Sequence, residues 1–156
     1  VAANACENCH RPHDAGTRPQ LLNFVTEEQN CYSCHSGTVA TKDIASEFNK
    51  ASVHPITLTS GVHSPNEDPI NPPRHVECVD CHNPHAARNA TASAPAAPGS
   101  LAGVRGINSG GGVVKPLQNE YELCFRCHGD SACSYAGHRK SANGHGAASR
   151  HQIATA

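Results

Sequence analysis

The 156-residue chain contains no methionine and no tryptophan, and its aromatic residues are three Phe and three Tyr. Leu, Ile, Val and Phe together make up 24 of the 156 residues. At that share, apolar burial alone does not normally offset the entropy of ordering a chain. An ordinary side-chain core is therefore not expected. No apolar run approaches the ~20 residues that a membrane-spanning helix needs. Neither sign of charge dominates: 12 Lys and Arg stand against 13 Asp and Glu, a formal net charge of −1. The sequence has no basic excess for nucleic acid and no basic amphipathic run for a membrane surface. A chain so close to neutral is not protected by charge against self-association.

Cysteine and histidine are abundant instead, with nine Cys and 12 His. Eight of the cysteines fall into four copies of Cys-x-x-Cys-His: Cys6–His10, Cys31–His35, Cys78–His82 and Cys124–His128. This spacing is the attachment signature of c-type haem. The thiols Cys6, Cys9, Cys31, Cys34, Cys78, Cys81, Cys124 and Cys127 add across the porphyrin vinyl groups. His10, His35, His82 and His128 become the proximal iron ligands. Four cysteine pairs could also build two all-cysteine zinc ribbons. A ribbon does not require histidine after each second cysteine, however, and all four copies have it. The expected cofactor is four haem c, and these flat apolar groups replace the missing core. Ligation free energy then becomes folding free energy.

The lack of Met excludes His/Met iron ligation. Eight histidines remain beyond the proximal four: His13, His54, His63, His75, His85, His138, His145 and His151. His13 and His85 each lie three residues after a proximal histidine. That link is too short to reach the opposite face of the same iron, but it suits a neighbouring one. His54 sits on a corner fixed by Pro55, and His75 lies three residues before Cys78. The expected distal set is His13, His54, His75 and His85, with His63 in reserve. Iron held by two histidines has no position left for a substrate, which points to a carrier and not an enzyme.

We expect one domain over residues 1–156, mostly coil, with a few short α and 3-10 helices and almost no strand. Thr26-Glu27-Glu28-Gln29 has capping-box spacing and should start a helix over Cys31–His35. A second short helix is expected over residues 43–50. Asn119 to Glu122 should cap a third helix, over Cys124–His128. Residues 86–112 read as a surface loop of low complexity, and 130–156 as a polar tail. The intervals between motifs are uneven, so no structural repeat is expected. Cys133 is the unpaired ninth cysteine, read as a free thiol with an intermolecular disulfide as the alternative. Haem attachment to this motif takes place outside the cytoplasmic membrane in prokaryotes. Together with the missing Met at position 1, this is read as an exported chain with its signal removed.

The stretches from Arg74 to His85 and from Tyr121 to Asp130 resemble secreted multihaem cytochromes of metal-reducing prokaryotes. The stretch Cys6–His13 is similar to the start of outer-surface members that polymerise into extracellular filaments, or nanowires. The four motifs resemble the tetrahaem filament cytochromes in particular. The resemblance implies that every iron has two histidine ligands and that the haems form one continuous chain of stacked and T-shaped pairs. It also implies head-to-tail self-association, with His13 ligating a haem of the adjacent subunit, and electron transfer to external acceptors and other redox proteins. Two alternatives stand beside this reading. One is a soluble periplasmic or secreted tetrahaem shuttle. The other is a multihaem oxyanion reductase, which would need an open iron position.

Overall fold

The computed structural model describes residues 5–16, 18, 20–57, 64, 66–68 and 75–129. The reserve ligand His63, together with Cys133, His138, His145, His151 and the tail at 130–156, lies outside the described residues. The chain divides into two compact units: Val1–Pro65 with His75–Cys78, and Asn66–Arg74 with Val79–Ala156. As expected, most of the described backbone is coil, with short helices and one two-stranded sheet.

In the first unit, α1 spans Glu27–His35 and α2 spans Ile44–Glu47. Glu27 and Glu28 occupy the first turn of α1, where negative charge suits the helix dipole. The expected capping box does not form. Thr26 makes no side-chain cap bond, and its buried hydroxyl has no partner. The buried Asn30 fixes the helix start instead. Its Oδ1 accepts Phe24 N–H at 3.1 Å, and its amide donates to Thr26 O at 2.7 Å and Phe24 O at 3.3 Å. A carboxamide can donate and accept at once, and so it ties the entering strand of chain to the first turn. The second helix is shorter than expected. Asp43 caps it by accepting Ser46 N–H at 3.1 Å, and it ends after one turn.

The N-terminal stretch folds back on itself. Arg11 N–H donates to Leu21 O at 2.7 Å, Gly16 N–H to Leu22 O at 2.8 Å and Asn23 N–H to Cys9 O at 2.9 Å. The Asn23 amide also donates to Glu7 O at 3.1 Å and Asn8 O at 3.0 Å. Asp14 and Leu21 hold left-handed backbone at φ 58° and 56°. That conformation is unfavourable for a branched residue and persists only where its surroundings enforce it.

In the second unit, a 3-10 turn at Gly99–Leu101 precedes strands β1 (Gly106–Ile107) and β2 (Val113–Val114). The strands are antiparallel, with Gly106 opposite Val114 and Ile107 opposite Val113. Asn108 Oδ1 closes the hairpin by accepting Gly110 N–H at 3.0 Å and Gly112 N–H at 2.9 Å. Helix α4 (Glu120–His128) packs on β1. Its start matches expectation: the buried Glu122 carboxylate accepts Gln118 N–H at 2.6 Å and Asn119 N–H at 3.0 Å. Val104, Ile107, Leu117 and Phe125 form the buried apolar cluster.

Residues 87–96 are exposed, as a surface loop would be, but Val104 and Ile107 of the stretch 86–112 pack inward and supply half of that cluster. Small side chains in this stretch permit close backbone approach. Arg88 N–H donates to Gly99 O at 3.0 Å, and Gly99 N–H donates to Ala90 O at 2.7 Å. A Cβ on Gly99 would lie 2.6 Å from Arg88 O and 2.9 Å from Ala90 N. Backbone atoms cannot give way there, so Gly99→Ala should cost about 1–3 kcal/mol. A thermal melt of the holoprotein reads this directly, and an unchanged midpoint would refute the packing argument.

Candidate functional site

Each motif folds as a helical turn. In α1 and α4, both nine residues long, Cys-x-x-Cys-His forms the last five residues. The third motif lies on the single turn α3 (Cys78–Cys81), with His82 immediately after it. The first is closed by His10 N–H donating to Cys6 O at 2.8 Å and Cys9 N–H to the same oxygen at 3.2 Å. At 3.6 residues per turn, the two thiols and the imidazole then project on adjoining faces. All eight motif cysteines are free thiols.

Two of the motif imidazoles are already oriented. His10 Nδ1 lies 2.8 Å from Gln20 O, and His82 Nδ1 lies 3.0 Å from Ser100 O. A carbonyl oxygen can only accept, so Nδ1 is the protonated nitrogen in both rings. The lone pair is then on Nε2, the tautomer an iron ligand needs. His35 and His128 are exposed at the ends of α1 and α4.

The motifs are paired within each unit. In the first unit, the thiols of Cys31 and Cys78 are close enough to act on each other, which pushes the Cys78 thiol up and the Cys31 thiol down. Burial pushes the Cys9 thiol up, and nearby Cys34 adds to this. Tyr32, between the cysteines of the second motif, is pushed up by burial and then by Cys78. In the second unit, burial pushes the Cys81 thiol up to about 11, with smaller contributions from Asp80, Cys127 and Cys124. Cysteine sulfurs of the first and second, second and third, and third and fourth motifs are therefore neighbours.

The residues between the cysteines also make contacts that motif spacing does not reveal. In the second unit the Arg126 guanidinium donates to Asp80 O through Nη1, and to Asp80 Oδ1 at 3.3 Å through Nη2. Both side chains are largely buried, with 7% and 13% exposed. The opposite charges at these two positions were the only signal in the sequence. Arg126 Nε is buried without an acceptor. On the far face of α4's motif, Phe125 is buried and stands 5.5 Å from Tyr121 between ring centroids.

The expected distal ligands are spread over the surface. His13 is exposed beside the left-handed Asp14. His54 is exposed at the Pro55 corner, where Ile56 N–H donates to His54 O at 2.9 Å. His85 is exposed in a turn in which its N–H donates to Asn83 Oδ1 at 3.0 Å. His75 is half-buried, with Nε2 3.9 Å from Oε2 of the buried Glu77.

The donor set fits haem. Two thiols and an imidazole recur on a helical turn, two of the imidazoles hold the required tautomer, and the buried Arg126 Nε has no acceptor. Zinc ribbons fit less well. Among the described residues, no three cysteine or histidine ligand atoms lie within 4.8 Å of one another. No helix of the described residues is long and apolar enough to cross a membrane.

A family model described as a doubled CXXCH motif matches residues 1–40. No curated protein and no solved structure matches the chain. The matched segment contains the first two attachment turns, and the chemistry it carries is the covalent c-type haem binding of multihaem electron-transfer cytochromes.

Proposed function

We propose that the chain carries electrons through four covalent haems, each iron held by two histidines, and that it is not an enzyme. One observation carries this reading: the attachment sulfurs of successive motifs are neighbours, three times over. Electron transfer falls steeply with distance, so closely spaced attachment sites suit conduction. The haems supply a one-electron iron couple. The protein fixes their edges through eight thioethers and orients the proximal rings through Gln20 O and Ser100 O. It supplies the distal ligands from His13, His54, His75 and His85.

Intact mass and a haem assay test the count of four, and fewer covalent haems would sink it. The oxidised spectrum tests ligation: every iron should be low-spin. His75→Ala should leave four attached haems, about one of them high-spin, with lower holo stability. A wholly low-spin variant would remove His75 from the ligand set.

We further propose that the chain works outside the cell as a subunit of a cytochrome filament, passing electrons to external acceptors and other redox proteins. The near-neutral charge and the exposure of His13 beside the first attachment turn support this.

A further inference from the structure

We infer that Arg126, anchored by Asp80, is the charge that sets the potentials of the third and fourth haems. This rests on the four-haem reading above. The guanidinium lies between two attachment turns. It is close enough to Cys81 and Cys127 to act on both thiols, and these sulfurs belong to different haems. Its charge is desolvated, with 7% of the side chain exposed. A positive charge in such a setting acts over a longer reach than at the surface. Asp80 offsets part of it through a carboxylate contact at 3.3 Å, and the Glu67 carboxylate lies within 4.8 Å of that of Asp80. The remaining Nη1 bond goes to a neutral backbone carbonyl. Nε has no acceptor at all, and an unmet buried donor is costly unless a bound group presents an anionic edge to it. A haem carboxylate has that chemistry.

The sign of the effect follows. Removing the positive charge favours ferric iron, and removing the negative charge of Asp80 favours ferrous iron. A clamp that mattered only for packing would give shifts of one sign from either side.

The test is a spectroelectrochemical titration of the holoprotein after a haem count. Fewer than four haems in the wild type defeats the four-haem reading and not this inference alone. With four haems present, Arg126→Gln should raise the oxidised-to-reduced ratio of two components on the order of tenfold at fixed potential. The other two components should stay in place. Asp80→Asn should move the same two components in the opposite direction. Arg126→Lys, which keeps the charge, should recover at least half of the shift. Shifts of the same sign in Arg126→Gln and Asp80→Asn, no shift, or no recovery with Lys would each overturn the inference. If Arg126→Gln does not load haem, Asp80→Asn decides alone. A rise in two potentials supports the inference, and any other response overturns it.

Discussion

Replacing all eight attachment cysteines with alanine is expected to unfold the first unit and to leave only a remnant of the second. The buried apolar side chains among the described residues are Ile56, Val104, Ile107, Leu117 and Phe125. Four of these lie between residues 104 and 125, in the second unit, and Ile56 alone serves the first. Ordering a residue costs roughly 1–2 kcal/mol in backbone entropy, while fully burying one large aliphatic side chain returns only about 1.5–3 kcal/mol. One such side chain cannot hold the more than fifty residues on the N-terminal side. The first unit also buries Glu27, Asn30 and Glu77, and burying polar groups opposes folding unless their bonds are all met. Haem attachment and iron ligation must therefore supply most of its stability. Hydrogen exchange reads the result. Amides of 5–57 should exchange at nearly unprotected rates in the eightfold variant. Amides around Ile107, Leu117 and Phe125 should keep partial protection, because the β1–α4 packing uses no cofactor. A cooperative melt of the whole eightfold variant would contradict this account.

The contrast between the units shows what was legible in the sequence. The four attachment turns, the helices over the second and fourth motifs and the predominance of coil could all be read from short-range patterns. Each is fixed by residues within one or two turns of one another. The cap of α4 was legible for the same reason, since Glu122 reaches back only three or four residues. Thr26 misled because capping-box spacing is necessary for the box but does not create it. Asn30, one turn further on, offered both a donor and an acceptor and took over the helix start. The stretch 86–112 was legible only in part, because small residues look alike in a loose loop and in a tight one. Gly99 is small because Arg88 O and the N and Cβ of Ala90 crowd it, not because the chain is loose. The acceptors of His10 and His82 lie ten and 18 residues away, beyond any local pattern. The ion pair between Asp80 and Arg126 spans 46 residues and depends on the two attachment turns meeting.

His13→Ala should retain every covalent haem yet assemble poorly. The covalent links depend on the cysteines, and none lies beyond Cys9 in the first motif. Maturation should therefore be unaffected by a change at position 13. Pro12 restricts the backbone between His10 and His13, and His13 is exposed. The imidazole is thus projected outward from the first attachment turn. Three residues are too few to bring it round to the opposite face of the iron proposed for His10, so as a ligand it would serve another iron. The filament reading places that iron in the adjacent subunit. One coordinate bond per interface would then do two things, fixing the orientation of the subunits and bringing haems into contact across the boundary. A head-to-tail contact of this kind propagates unless its rotation closes a ring. The loss in His13→Ala is correspondingly severe: free protomers in place of long assemblies, each with one iron short of a ligand and partly high-spin. Electron microscopy reads the assembly, and the oxidised spectrum reads the iron. The two readouts separate the alternatives. If His13 ligates an iron of its own chain, the variant gains a high-spin signal while dilute wild-type protein does not. If His13 bridges subunits, dilution of the wild type to free protomers produces the same high-spin signal without any mutation. Wild-type protomers that remain fully low-spin at high dilution would place the His13 bond within one chain and remove it from the interface.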